Sequence, residues 1–122
     1  MTEILPSAGD VVYAVDLDAD ASIEAPFDTW LRDHVADVMQ LPGFLSAEIL
    51  VDAAPPAGRV RRTVQYRLRD RASLDDYLER HAPQLRESGV RLFGDRYTAS
   101  RRVCLHASGF FSAAATVSGL PQ

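Results

Sequence analysis

The chain lacks lysine altogether: all thirteen of its cationic side chains are arginine. That removes Schiff-base chemistry and a lysine general base, because a guanidinium neither deprotonates nor condenses with a carbonyl. It holds a single cysteine, Cys104, so no intrachain disulfide can form, and a reducing compartment is the expected setting. An excess of positive charge is missing as well. The formal charge of −4 argues against nucleic acid as a partner, since binding phosphates needs a basic surface. No apolar run approaches the roughly 20 residues that span a bilayer, and no basic segment followed by an apolar one opens the chain. The expectation is a cytoplasmic protein that meets neither membrane nor nucleic acid.

What is present fits one soluble domain. A chain of 122 residues with 47% hydrophobic and 25% charged side chains can bury a single moderate core. Its charge is uneven: residues 1–58 sum to −10 and residues 59–122 to +6. The two halves should therefore attract one another in the fold.

The most informative stretch is Val60 to Arg71. Val60, Val64, Tyr66 and Leu68 fall on one side of a period-two ribbon, and Arg61, Thr63, Gln65, Arg67 and Arg69 on the other. Such a strand belongs in an antiparallel sheet with one side on helices and the other facing water, a ligand or a partner. Similar alternation marks strands at Val11 to Asp18, Phe44 to Asp52 and Tyr97 to Cys104.

Between the first two, Phe27, Trp30, Leu31, His34, Val35 and Val38 repeat at helical spacing behind Pro26, and Pro42-Gly43 stops the pattern. Leu74, Tyr77, Leu78, His81, Ala82 and Leu85 repeat that spacing in a second helix, which Ser73 would cap. Pro83 inside it should kink it or mark a junction. The order β-α-β-β-α-β points to a ferredoxin-like α+β sandwich, a four-stranded antiparallel sheet of order 4-1-3-2 with helices on one face. Residues 1–10 read as a loose lead-in and 11–104 as the domain. Residues 105–122 read as an apolar, uncharged tail, either disordered or docked on the sheet or a partner.

Six segments carry a family resemblance: VVYAV at Val11, WLRDHV at Trp30, LPGFLSA at Leu41, RRTVQYRL at Arg61, YLERHAPQLR at Tyr77 and FGDRYTASRRV at Phe93. In this order they resemble the DUF4286 family within the dimeric α/β-barrel superfamily. The resemblance implies a ferredoxin-like protomer whose open sheet face meets a twofold partner, and it implies no particular reaction. Relatives in the wider superfamily include cofactor-free monooxygenases, isomerases, cyclases, haem-degrading enzymes and stress-responsive binding proteins, so the fold alone does not choose among them.

Candidate site residues follow from strand parity. Asp16, Glu48, Gln65, Arg67, Tyr97 and Arg101 are expected to line a polar cavity on the barrel side, with Asp16 or Glu48 paired to Arg67 or Arg101, because a buried charge needs a partner. His34 and His81 are the candidate general bases, each also able to serve as a packed core residue. Neither has companions at metal-ligand spacing, so no metal is expected, and no cofactor motif appears. The basic and aromatic signature of an RNA-recognition strand is absent. Three functions stay open: a homodimer that binds a small organic ligand, a cofactor-independent oxygenase, isomerase or cyclase acting on an aromatic or polyketide-like substrate, and a non-catalytic structural or stress-related dimer.

Overall fold

The computed structural model describes residues 2–4 and 10–113. In chain order the elements are β1 (Thr2–Ile4), β2 (Val11–Asp20), α1 (Glu24–Val38), β3 (Phe44–Val51), β4 (Arg59–Leu68), α2 (Arg71–Arg80), α3 (Ala82–Phe93), β5 (Tyr97–Leu105) and β6 (Gly109–Phe111). Four strands form one antiparallel sheet in the order β3-β4-β2-β5. Counted along the β-α-β-β-α-β unit this is the 4-1-3-2 arrangement, so the ferredoxin-like α+β architecture expected from the alternation is the one observed.

The helices cover one face because the apolar parity of each strand points at them. Val11, Tyr13, Val15 and Leu17 of β2 and Val60, Val64, Tyr66 and Leu68 of β4 pack against Phe27, Leu31 and Val38 of α1 and Leu74 and Tyr77 of α2. Arg62 shares the parity of Val60 and Val64 and is buried with them, 6% exposed. It is tolerated because every face of its guanidinium is met. Nε and Nη2 donate to the Asp28 carboxylate at 2.9 and 3.0 Å, Nη2 also to Glu24 at 2.9 Å, and Nη1 to the Arg61 carbonyl. Parity alone places this arginine among the apolar residues of β4, and Glu24 and Asp28, one helical turn apart, supply its partners.

One local detail departs from strict strand alternation, and at Pro83 the second helix has the junction that its sequence suggested. Strict alternation puts Phe44 with Ser46 and Glu48, whereas a bulge between Phe44 and Ser46 lets Phe44, opposite Leu68, share the helix-facing side with Ala47 and Ile49. Leu45 is the extra residue and is left exposed. The second helix is two helices: α2 ends at Arg80, His81 leaves helical geometry, and Pro83 in the first turn of α3 starts the new one. Its cap is Asp70, whose carboxylate accepts from the Ser73 amide at 2.8 Å, and not Ser73 itself.

Outside the main sheet, Thr2–Ile4, within the expected lead-in, pairs antiparallel with Gly109–Phe111 of the expected tail. The rest of the lead-in, residues 5–9, and of the tail, residues 114–122, lie outside the described residues.

Candidate functional site

The polar residues proposed from parity divide between two faces. Val12, Ala14, Asp16 and Asp18 of β2 lie beside Arg67, Gln65, Thr63 and Arg61 of β4, and Glu48 of β3 faces Gln65, all on the side away from the helices. Arg102 and Ser100 of β5 join them opposite Ala14 and Asp16. Tyr97 and Arg101 do not. Arg101 is registered opposite Val15, and both residues belong to the helix-facing side. Ala99 and Val103, apolar and of the same parity, carry the sequence signal for that placement.

On the open face part of the charge is paired, while Glu48 and Arg102 form no ion pair among the described residues. Asp18 receives Arg59 at 2.7 Å and Arg61 at 3.1 Å, and those contacts hold its carboxyl below the usual carboxylate range. Arg67 reaches Asp10 at 3.3 Å, and Asp16 accepts from the Thr63 hydroxyl at 2.7 Å. The expected pairing of Asp16 or Glu48 with Arg67 or Arg101 is therefore not made within the chain. Two grooves cross this face, of about 730 Å³ beside Asp16 and Asp18 and about 240 Å³ beside Glu48 and Arg67.

Between sheet and helices lies a different kind of space. A cavity of about 30 Å³ is lined by Tyr13 and Tyr66 from the sheet, Trp30 and His34 from α1, Tyr77 from α2, Arg86 from α3, and Tyr97 and Arg101 from β5. No carboxylate lines it. As it stands it has room for one or two waters, so a larger guest has to widen it.

His34 is held in a defined state. Its Nδ1 lies 3.1 Å from the Leu85 carbonyl, and a carbonyl can only accept, so Nδ1 carries the proton. In the neutral ring Nε2 is then left as a lone-pair acceptor. Trp30 stacks on the imidazole at 4.8 Å and 22° and is anchored by Nε1–H to the Ser88 hydroxyl at 2.8 Å. Burial lowers the His34 pKa below its ordinary 6.5. Arg86 and Arg101 add to the effect, while the Leu85 hydrogen bond and Asp37 oppose it. The other candidate base is elsewhere: His81 sits at the α2–α3 junction, 3.9 Å from Asp76, and does not line the cavity.

Arg86 donates from Nη2 to the Tyr13 hydroxyl at 2.9 Å. The phenols of Tyr66, Tyr77 and Tyr97 are all pushed up by burial, and the guanidiniums of Arg86 and Arg101 pull against that shift in each case. Arg86 was missed in the sequence because it falls on the polar flank of its helix. Its signal was the spacing of four residues that places it a turn beyond Ala82. Among the described residues no group of histidine, cysteine or carboxylate side chains is arranged to hold a metal ion, and no helix is long and apolar enough to cross a membrane.

Solved structures of the same architecture define the class. SnoaB, a cofactor-independent oxygenase from Streptomyces nogalater, superposes with a TM-score of 0.63 at 14% identity, covering 80% of this chain and 94% of its own. A candidate antibiotic biosynthesis monooxygenase from Deinococcus radiodurans gives 0.64 at 14% identity, covering 84% and 99%. The de novo designed protein Foldit4 gives 0.55 at 14% identity over 80% and 98%. A natural oxygenase and a designed protein in one set show that the likeness is one of fold. None of the curated proteins matches the chain. The chain belongs to the DUF4286 family, a domain of unknown function, whose model matches residues 10–107.

Proposed function

We propose that this protein is a cofactor-independent enzyme that moves a proton on a small aromatic substrate bound between the sheet and the helices. The observation that carries this reading is the state of His34: Nδ1–H is committed to Leu85, Nε2 is left as the acceptor, and two guanidiniums share its cavity. In the reaction Nε2 takes a proton from an enolisable carbon or a phenol. The electron pair moves onto the substrate oxygen, and Arg86 or Arg101 stabilises the resulting oxyanion. The same step serves an isomerase, a cyclase or an oxygenase in which dioxygen is the electron acceptor. The cofactor-independent oxygenase among the fold neighbours supports the last of these without selecting it. The open face is the poorer site for chemistry, because it offers no histidine and its grooves are open, with Asp18 and Arg67 already held in ion pairs.

Deuterium exchange at the acidic carbon of 2-tetralone, followed by NMR, tests the proposal. The wild type should accelerate exchange, and His34→Gln should lose about 10²–10⁴-fold, as is usual for a general base. Because the neutral ring is the base and its pKa is lowered, the rate should hold as pH falls to 6.5 and drop only on the acid side of that value. His34→Gln exchanging at the wild-type rate would end the proposal.

We infer in addition that the open face is where a second copy binds. Ala14 at its centre is small and Leu50 at its edge is apolar and exposed. Asp18 and Arg67 there are already paired, so covering them costs less than covering free ions, and Glu48 and Arg102 are left to find partners on the second copy. In sedimentation equilibrium the wild type should be a dimer, and Ala14→Arg, which drives a bulky charge out of the central strand, should be a monomer. A monomeric wild type refutes this.

A further inference from the structure

The cavity carries positive charge that the rest of the molecule does not neutralise, although acids outnumber arginines seventeen to thirteen in the chain. Eight arginines, Arg62 and Arg67 among them, form ion pairs. Arg86 and Arg101 form none among the described residues, and they are the two that line this cavity. Arg86 is half-buried with a phenol as its hydrogen-bond partner. Arg101 is exposed on the edge strand β5, at the cavity's rim, and has no hydrogen-bond partner among the described residues. The lining between them is aromatic: Trp30 and Tyr97 lie with ring centres 6.1 Å apart, and Tyr13 and Tyr66 stack at 5.9 Å. A guanidinium that no carboxylate pairs is free to take an anion, and its planar donor set is suited to a carboxylate.

We propose that the substrate is an aromatic carboxylate, its ring held among Trp30 and the tyrosines and its carboxylate by Arg101 at the rim, leaving Arg86 with Tyr13 for the reacting oxygen. This rests on reading the cavity as the substrate site. Arg86 is engaged by the Tyr13 hydroxyl, so selection of charge falls to Arg101. Because that side chain is exposed and unpaired, it can swing outward to widen the cavity at little more than the cost of its own rotamers. It then closes over the bound anion. In an acidic protein the local positive field also draws anions toward this cavity.

The test uses benzoate, its neutral counterpart benzamide and inorganic phosphate as probes. Trp30 is the only tryptophan of the chain and lines the cavity, so its fluorescence reports occupancy directly. Benzoate should bind the wild type at least about tenfold more tightly than benzamide, and phosphate should not displace it at equal concentration. Arg101→Gln should bring benzoate down to the benzamide value without changing benzamide, and Arg101→Lys should restore part of the preference. His34→Gln should leave the preference intact, which separates this inference from the fate of the proton-transfer reading. Equal affinity for the two aromatics, a preference that survives Arg101→Gln, displacement by phosphate alone, or no fluorescence response to benzoate would each overturn it.

Discussion

At the scale of single residues, one period-two rule both succeeded and failed. Parity correctly separated Gln65 and Arg67 from Val64 and Tyr66, yet Arg62 obeys the same rule and belongs inside. A buried arginine runs against composition-based expectation, and its legibility depends on Glu24 and Asp28, which lie on another element. Removing it should be informative. Arg62→Ala leaves two carboxylates facing apolar surface, but Asp28 and Glu24 keep 29% and 52% of their side chains in water and can rehydrate. The cost should then be about 2 kcal/mol, below the 3–5 of a fully buried pair. Arg62→Met, which fills the volume, should cost less. Urea unfolding of the two variants decides the matter, and an Arg62→Ala midpoint equal to wild type would show that the cluster contributes nothing. Tyr97 and Arg101 teach the complementary lesson. Their parity with the apolar Ala99 and Val103 signalled the helix-facing side, but the charge of Arg101 outweighed that signal, and registration against Val15 settles it.

At the scale of elements, the repeated spacing of His34 and His81 suggested equivalent roles on equivalent helices. Pro83 breaks the equivalence. By opening a separate α3 it leaves His81 in the joint and lets α3 cross α1, where its Leu85 carbonyl meets His34. The crossing is close because of Gly89. A β-carbon there would lie 2.5 Å from Cζ2 of Trp30, on the rigid indole that stacks on His34. Gly89→Ala should therefore destabilise the protein by about 1–3 kcal/mol, the range for overpacking. It should also shift the Trp30 emission, since the indole has to leave the Ser88 hydroxyl or the imidazole. Unchanged emission and stability would mean that the helices separate freely. The bulge at Leu45 is a second feature that sequence did not reveal: one inserted residue reverses which alternate side chains of β3 face inward, and the apolar character of both Phe44 and Leu45 hides the switch.

At the scale of the whole molecule, the architecture was legible because four alternating segments and two amphipathic stripes admit few connections. The location of the site was not. A polar strand face draws attention to the side with more charge, whereas the cavity that brings His34, Arg86 and Arg101 together lies on the other side. The order β3-β4-β2-β5 also has a mechanical consequence. Every neighbouring pair in the main sheet joins one strand from residues 1–58 to one from residues 59–122, so neither portion owns two adjacent strands. A chain nicked in the turn after Val51 should stay assembled, and the separated pieces should be unstructured alone. On mixing they should regain strand and helix signal in circular dichroism, faster at low salt, because the pieces carry −10 and +6. Structure in either isolated piece would contradict this. The molecule is interleaved like the fingers of two clasped hands, and a break in the backbone at that turn would loosen the grip without opening it.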